Sequence, residues 1–304
     1  MPNPIRLIAV DLDGTLLNSQ KRISDADREA LEAARARGVE IVPVTGRNYT
    51  FALPIIQRLP FDVPLIASNG AVIRSTSGET FLRCLLPQAT AAAVLQAARQ
   101  FRPFTVLMYD QAGPGQLRIE TPPNGGPANE GQESRSRGVA FSSWAQRHLS
   151  LIHFVGSLEE ALDGDPLEVL FTGPAAVMRQ AAATLQNSPG ASPRVIDTES
   201  QDLVYPAFRL LLTEYREQDF SILDVIRGDC SKGLALAYWS RRRGISSAQI
   251  MAIGDNYNDV EMLRFAGLPV VMGNADSDLK QQGWATTLDC DSGGVAHAIQ
   301  QYVL

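Results

Sequence analysis

The sequence predicts an α/β fold, with a Rossmann-like, doubly wound parallel sheet as its core and an α+β domain inserted in the middle. Short apolar runs without polar alternation, typical of strands buried on both faces of a parallel sheet, end in small polar residues. Helical patterns separate these runs. The pattern changes between residues 87 and 219. The predicted domains are therefore a core of residues 1–86 and 220–304 and an insert of residues 87–219.

The first third of the chain supplies three strands that alternate with helices. The predicted strands are residues 7–10, 39–44 and 64–67, and the helices between them are residues 24–38 and 49–59. Ser24 is a good N-cap for the first helix, and Gly38 is a typical residue to end it. Strands that alternate with helices in this way form a parallel sheet.

The insert has a mixed pattern of its own. The pairs 72–73 and 81–82 flank a polar turn and predict a hairpin ahead of it. Within the insert we predict helices at residues 89–100, 157–162 and 175–185, and strands at residues 104–109, 117–120, 167–172, 194–196 and 203–213. Residues 121–138 are rich in Gly, Pro, Asn and Ser, which is typical of an irregular or disordered segment.

After the insert the first pattern resumes. We predict strands at residues 222–226, 249–253 and 269–272, and helices at residues 231–244, 260–265 and 294–303. This interpretation assigns the strand at 222–226 to the core.

The composition excludes several classes of protein. A net charge of −6 over 304 residues argues against a general nucleic-acid binder. No apolar run reaches the roughly 20 residues that span a membrane, and the N-terminus has no signal-peptide pattern. The three cysteines are scattered, which predicts reduced thiols. We therefore predict a cytoplasmic protein without nucleic-acid or membrane partners. Both a monomer and a homodimer stay open.

Polar residues stand where the predicted core strands end, at the sheet edge where α/β proteins bind ligands. Asp11 and Asp13 follow the first strand, and their spacing points both side chains to one side of an extended chain. Gly14 lets the backbone turn directly afterwards. Two carboxylates in one crevice repel each other unless a cation is present, and Mg²⁺ is the expected hard cation where protein carboxylates are few. For an isolated D-x-D, turn-capping carboxylates would be the simpler interpretation.

Four polar clusters follow one another along the chain: D-x-D-G-T-L-L at 11–17, T-G-R at 45–47, S-K-G at 231–233 and G-D-x-x-N-D at 254–259. The ordered set resembles the four motifs of the haloacid dehalogenase-like (HAD) superfamily of phosphohydrolases. An insert between the second motif and the lysine, S-N-G at 68–70 and A-G-x-x-V-x-M-G-N-A at 266–275 are similar to the Cof-type branch, subfamily IIB. In that branch the insert is a cap domain. The resemblance covers residues 5–86 and 220–300.

The resemblance implies a Mg²⁺-dependent phosphomonoesterase that hydrolyses a small phosphorylated metabolite through an aspartyl-phosphate, with sugar phosphates among the candidates. It implies Asp11 as the nucleophile and Asp13 as the general acid and then base. The other implied contacts are phosphate at Leu12, Thr45, Gly46, Lys232 and Asn258, and metal at Asp11, Asp13, Asp255 and Asp259. Arg47 contacts substrate or forms an ion pair, and Asn69 contacts the active site or belongs to a turn. Asn274 is interpreted as a structural turn residue.

Two alternative functions stay open. A phosphomutase or phosphotransferase would use the same aspartyl-phosphate chemistry with a cap that retains the intermediate. A catalytically silent metabolite-binding protein could use the same fold, since a fold alone does not determine function. The intact set of Asp11, Asp13, Lys232 and Asp255 counts against a silent protein. The insert matches no motif, so the sequence does not assign a substrate.

Overall fold

The computed structural model describes residues 4–121, 138–139, 142–191, 205–215 and 219–304. The chain divides into two compact units, one of Met1–Arg83 with Cys230–Leu304 and the other of Cys84–Asp229. The predicted fold class, a mixed α/β protein with a parallel core sheet, is confirmed.

The strands in chain order are β1 (Leu7–Asp11), β2 (Glu40–Val44), β3 (Pro64–Ala67), β4 (Val72–Ser75), β5 (Thr80–Arg83), β6 (Thr105–Met108), β7 (Leu117–Glu120), β8 (Ile152–Val155), β9 (Glu168–Gly173), β10 (Phe208–Tyr215), β11 (Phe220–Arg227), β12 (Ile250–Gly254), β13 (Leu268–Val271) and β14 (Ala285–Thr286). The helices are α1 (Asp25–Ala36), α2 (Tyr49–Ile56), α3 (Gln88–Ala97), α4 (Ser143–Arg147), α5 (Ala175–Gln186), α6 (Lys232–Arg243), α7 (Val260–Phe265), α8 (Ser277–Lys280) and α9 (Gly294–Tyr302).

The sheet of the first unit has the order β14-β13-β12-β1-β2-β3-β4-β5. It is parallel from β14 to β3, and the hairpin β4–β5 extends it in antiparallel fashion. All of β1 is buried, and its residues contribute alternately to hydrophobic clusters on the two faces of the sheet. Since parallel strands end at one edge, the carboxyl ends of β1 and its neighbour β12 lie side by side.

The helix termini of this unit follow the sequence signals. Ser24 caps α1 by accepting a hydrogen bond from the Asp27 amide at 3.1 Å. Ser231 caps α6 in the same way, and Gly244 ends that helix in the left-handed conformation, with a φ of 62°. The cap places Lys232 at the first position of α6. The helix α2 ends at Ile56, before the predicted residue 59.

The second unit contains a six-stranded sheet of order β10-β11-β9-β6-β7-β8. All pairs are antiparallel except β7 with β8. The hydrophobic core of the unit contains Val169 and Phe171 of β9 together with apolar residues of α3 and α5.

The strand β11 corrects one prediction. We assigned residues 222–226 to the core, but β11 pairs with β9 and β10 of the second unit, and the first unit resumes only at Cys230. An apolar run indicates a buried strand and carries no information about which sheet buries it.

Smaller differences lie in the second unit. Residues 157–162 form a hydrogen-bonded turn in place of the predicted helix, and α4 and β8 were not predicted. The predicted strand at 194–196, the start of the one at 203–213 and most of the segment 121–138 lie outside the described residues. Within the ranges given above, no helix is long and apolar enough to cross a membrane.

Candidate active site

A buried ion-pair cluster lies at the carboxyl end of β1. The last residue of that strand, Asp11, is 5% exposed, and Lys232 is 1% exposed. The Lys232 ammonium donates hydrogen bonds to Oδ1 of Asp11 at 2.6 Å and to Oδ1 of Asp259 at 2.7 Å. The predicted lysine and the first aspartate therefore meet across 221 residues of chain.

Close backbone packing holds α6, and with it Lys232, in this position. The backbone of Gly233 lies so close to Glu261 of α7 that a Cβ would stand 2.7 Å from the Glu261 carbonyl carbon. The Ser231 hydroxyl also donates a hydrogen bond to the Glu261 carboxylate. Gly70, with a φ of 100°, leaves no room for a Cβ beside the Ser231 carbonyl. The glycines of S-N-G and S-K-G thus serve close approach of the backbone.

The loop after β12 supplies two further carboxylates. Oδ2 of Asp259 accepts hydrogen bonds from the backbone amides of Asp255 and Asn256, each at 3.1 Å. A Cβ on Gly254 would lie 2.7 Å from Asp259, so glycine is required there. The Thr15 hydroxyl, from the loop after β1, donates to Oδ1 of Asp255 at 3.0 Å. The two loops are therefore joined directly.

The carboxylates of this cluster fit a divalent cation. One oxygen from each of Asp11, Asp255 and Asp259 lies within 4.8 Å of the others. When all three are ionised, these carboxylates exceed the charge of the Lys232 ammonium by two, and Asp11 and Asp259 are buried while Asp255 is partly exposed. Burial and then the Asp259 charge raise the pKa of Asp11 well above its usual value and that of Asp255 to about 7. A divalent cation would offset both the cost of burying these carboxylates and the repulsion between them.

Asp13 lies in a different environment. Its carboxylate is 29% exposed and accepts two hydrogen bonds from Arg47, both at 2.6 Å, and one from Lys21 at 3.0 Å. Burial alone would raise the pKa of Asp13, but the Arg47 hydrogen bonds and charge, followed by the Lys21 charge, outweigh it and lower the pKa. The ion-pair interpretation of Arg47 is therefore the one seen in this structure.

The predicted phosphate contacts differ in how accessible their donors are. The Thr45 amide donates to the Ile66 carbonyl at 2.8 Å, so this N–H group belongs to the sheet and is not available to a phosphate. The Thr45 hydroxyl and the Gly46 amide remain as candidate donors. The Leu12 side chain is fully buried, so only its backbone could contact a phosphate.

Asn69 lies against the T-G-R motif. It is 2% exposed, and its φ of 52° is left-handed. Its side-chain oxygen accepts a hydrogen bond from Nδ2 of Asn258 at 3.2 Å, and a Cβ on Gly46 would lie 3.0 Å from the same oxygen. Asn69 thus links the predicted phosphate residues Gly46 and Asn258, and its backbone does not form the two-residue hairpin turn that N-G often indicates.

All the predicted site residues belong to the first unit, and the structure brings them to one edge of its sheet. Sequence reasoning missed Thr15 and Lys21, which contact Asp255 and Asp13 respectively. Thr15 stands inside the D-x-D-G-T motif, which was the available signal. Lys21 carried no signal, because it is one lysine in a polar turn.

Comparison with known proteins identifies the family to which the chain belongs. The family model described as haloacid dehalogenase-like hydrolase matches residues 8–130 and 197–299, more than half of the chain. The chain belongs to this family. The predicted membership of the HAD superfamily is confirmed, and so is the predicted enzyme class, a hydrolase.

Relatives of this HAD hydrolase are named as phosphatases. It is 27% identical over 304 residues to the pyridoxal phosphate phosphatase YbhA of Escherichia coli K12, with 98% of this chain and 99% of YbhA covered. A haloacid dehalogenase-like hydrolase from Bacteroides thetaiotaomicron superposes with a TM-score of 0.71 at 26% identity, covering 98% and 99% of the two chains. The subclass IIB sugar phosphatase BT4131 superposes with a TM-score of 0.68 at 20% identity over 98% of each chain, which bears on the fold alone.

Proposed function

We propose that this protein is a Mg²⁺-dependent phosphomonoesterase that hydrolyses a small phosphorylated metabolite through an aspartyl-phosphate. The observation that carries the proposal is the contrast between two carboxylates at the end of β1. Asp11 is buried against Lys232, and Asp13, two residues later, is partly exposed and paired with Arg47 and Lys21. Two carboxylates held in different environments suit two different chemical roles.

The proposed metal ligands are the carboxylates of Asp11 and Asp255 and the backbone carbonyl of Asp13. Bound Mg²⁺ would supply positive charge that offsets repulsion between an anionic nucleophile and an anionic phosphate. Asp259 already accepts three hydrogen bonds, from Lys232 and two backbone amides. We therefore propose that it orients Lys232 and the Asp255 loop and acts on the metal from the outer shell.

In the proposed first step, a carboxylate oxygen of Asp11 attacks the phosphorus and the ester oxygen leaves. The bond to Asp11 forms as the bond to the leaving oxygen breaks, and the product is an aspartyl-phosphate with a free alcohol. The Lys232 ammonium, 2.6 Å from Asp11, would stabilise charge on the phosphoryl oxygens during this transfer. Thr45, Gly46, Asn258 and the Leu12 backbone are the proposed further contacts of the phosphate.

Asp13 would donate a proton to the leaving oxygen and then remove one from the water that hydrolyses the aspartyl-phosphate. Its ion pairs with Arg47 and Lys21 favour the carboxylate, which is the form needed in the second step. We propose that Arg47 releases one Asp13 oxygen when substrate binds, and that this oxygen takes up from solvent the proton that Asp13 donates in the first step.

The insert is the proposed source of substrate specificity, as the cap domain of the Cof-type branch. Pyridoxal phosphate, which the name of the relative YbhA suggests, and the sugar phosphates that the resemblance to the Cof-type branch includes are the first compounds to test. A location in the cytoplasm stays a prediction.

The test is hydrolysis of an aryl phosphate and of a metabolite-phosphate panel by wild type, Asp11→Asn and Asp13→Asn, with and without Mg²⁺. Asp278→Asn, an exposed aspartate on α8, is the matched control. We expect Mg²⁺-dependent turnover that is lost in Asp11→Asn, strongly reduced in Asp13→Asn and unchanged in the control. Turnover that survives in Asp11→Asn would exclude this nucleophile. A folded wild type that binds Mg²⁺ and turns over no phosphoester would favour a binding protein.

A further inference from the structure

Asn274 makes two hydrogen bonds that the proposed function does not use. It follows β13, and its Nδ2 donates to the Gly14 carbonyl at 2.8 Å while its Oδ1 accepts from the Cys290 amide at 2.9 Å. A carbonyl requires a donor and an amide requires an acceptor, so a carboxamide is the group that satisfies both partners. One side chain therefore connects the loop after β1 to two segments that lie about 260 residues or more further along the chain.

The Gly14 peptide is a sensitive point of the site. Gly14 has a φ of 83°, and a Cβ at this position would clash with the Asp255 carboxylate. The residue before it is Asp13. The residue after it, Thr15, donates to Oδ1 of Asp255 at 3.0 Å. A movement of the Gly14 peptide would therefore displace Asp13 and the hydrogen bond to Asp255 together.

We infer that Asn274 is a positioning residue of the active site, which acts through the Gly14 carbonyl. By fixing this peptide it would hold the Asp13 backbone and the Asp255 carboxylate in the relative positions that metal binding and proton transfer need. The inference rests on the proposed function, and it assigns to Asn274 a role beyond that of a turn residue. Loss of a residue that orients metal ligands typically lowers metal affinity or activity by about ten- to a hundredfold.

The experiment compares wild type with Asn274→Ala, Asn274→Asp and Asn187→Ala. Asn187 is the matched control, because its Nδ2 donates to the Ala183 carbonyl, also at 2.8 Å, at the exposed end of α5. The aspartate variant is nearly isosteric, keeps an acceptor for the Cys290 amide and loses the donor to Gly14. Three quantities are measured: Mg²⁺ affinity by calorimetry without substrate, kcat and KM on the aryl phosphate, and the thermal midpoint.

We expect Asn274→Ala to weaken Mg²⁺ binding and to lower kcat about ten- to a hundredfold, with KM and the thermal midpoint close to those of Asn187→Ala. Asn274→Asp should lose kcat to a similar extent. Restoration of kcat by Asn274→Asp would overturn the inference, since the Cys290 bond would then be the one that matters. Wild-type values in Asn274→Ala would overturn it as well.

The outcome separates this inference from the proposed function. If wild type hydrolyses phosphoesters with Mg²⁺ and Asn274→Ala is unaffected, the inference alone is excluded. If wild type binds Mg²⁺ without turnover and Asn274→Ala binds Mg²⁺ more weakly, the proposed reaction is excluded and the positioning role of Asn274 is supported. Wild type that binds no Mg²⁺ removes both.

Discussion

At the scale of single residues, the site depends on charges that are buried together. Lys232 is 1% exposed and contacts two carboxylates, one of which, Asp259, is itself fully buried. Burial alone would lower the pKa of this lysine, but the charges of Asp11 and Asp259 outweigh it, so the pKa is raised and the ammonium persists. The opposite charges in the cluster offset the cost of burying one another. Removal of one partner therefore leaves a buried charge uncompensated.

The replacement Lys232→Met therefore tests, through the free energy of unfolding, whether the buried charges depend on one another. It removes the cation and leaves Asp11 and Asp259 buried without it, which typically costs about 3–5 kcal/mol. Urea unfolding of the two proteins in the presence of EDTA measures the difference. Lys280→Met is the control, because Lys280 is an exposed lysine whose ammonium donates to a backbone carbonyl. A loss in Lys232→Met no larger than that in Lys280→Met would contradict the arrangement described here.

At the scale of secondary-structure elements, the ends of α6 illustrate local control. Ser231 caps the start of the helix and so places Lys232 in the first turn, and Gly244 ends it at a φ of 62°. A Cβ on Gly244 would meet nothing within 4 Å. Glycine is therefore required at position 244 for its backbone conformation and not for space. A substitution there tests the conformational effect without a packing effect.

Gly244→Ala should lower the free energy of unfolding by about 1 kcal/mol, because an alanine in the left-handed region meets its own backbone. Gly244→Asn should cost less, since asparagine visits this region more readily. Chemical denaturation of the three proteins gives both values. Equal stability of wild type and Gly244→Ala would mean that the helix ends differently in solution.

The strand β9 carries a buried carboxyl group, Glu168, which is 2% exposed. Among the described residues, its Oε2 has no hydrogen-bond partner. Burial, and then the charge of Asp224 on the neighbouring β11, raise the pKa of Glu168 well above its usual value. The folded protein thus holds a proton that the unfolded chain releases at lower pH.

This difference predicts how stability depends on pH. The stabilising contribution of the protonated Glu168 is fully present below its ordinary pKa and is lost as the pH rises from there through the raised pKa of the folded state. Glu168→Gln should remove this decline and be the more stable protein at pH 8. Urea unfolding between pH 4 and 8 is the measurement, with the exposed Glu160→Gln as the control. Parallel curves for wild type and Glu168→Gln would exclude a raised pKa.

At the scale of the whole molecule, the site is assembled from distant parts of the chain. Asp11 and Thr15 come from the first strand and its loop, and Lys232 and Asp255 follow the second unit in sequence. The parallel pairing of β1 with β12 brings these parts together. A ligand held by both parts binds the folded protein and not the unfolded chain, so it should stabilise the fold.

Mg²⁺ should therefore raise the thermal unfolding midpoint of wild type. A concentration a hundred times the dissociation constant adds about 2.7 kcal/mol of stability. The increase should vanish in Asp255→Asn and remain in Asp278→Asn, and EDTA should reverse it. Differential scanning calorimetry across a Mg²⁺ series measures the effect. An equal increase in Asp255→Asn would place the metal elsewhere.

The sequence by itself determined most strands and helices of the first unit, and the clusters that carry chemistry. Unalternating apolar runs such as residues 7–10 indicated doubly buried strands, and polar residues at their ends indicated the ligand-binding edge. The caps Ser24 and Ser231 were readable because they satisfy local backbone groups. Signals of this kind depend on residues that are close in the sequence, so they can be interpreted without knowledge of the fold.

Only the tertiary structure decided which groups are paired. It assigned β11 to the second sheet, committed the Thr45 amide to Ile66, and joined Asp13 to Arg47 and Lys21. These outcomes depend on which surfaces meet when strands far apart in the chain become neighbours. The position of a residue along a strand or helix indicates which way its side chain points. Its partners, its burial and therefore its pKa depend on residues that are distant in the sequence.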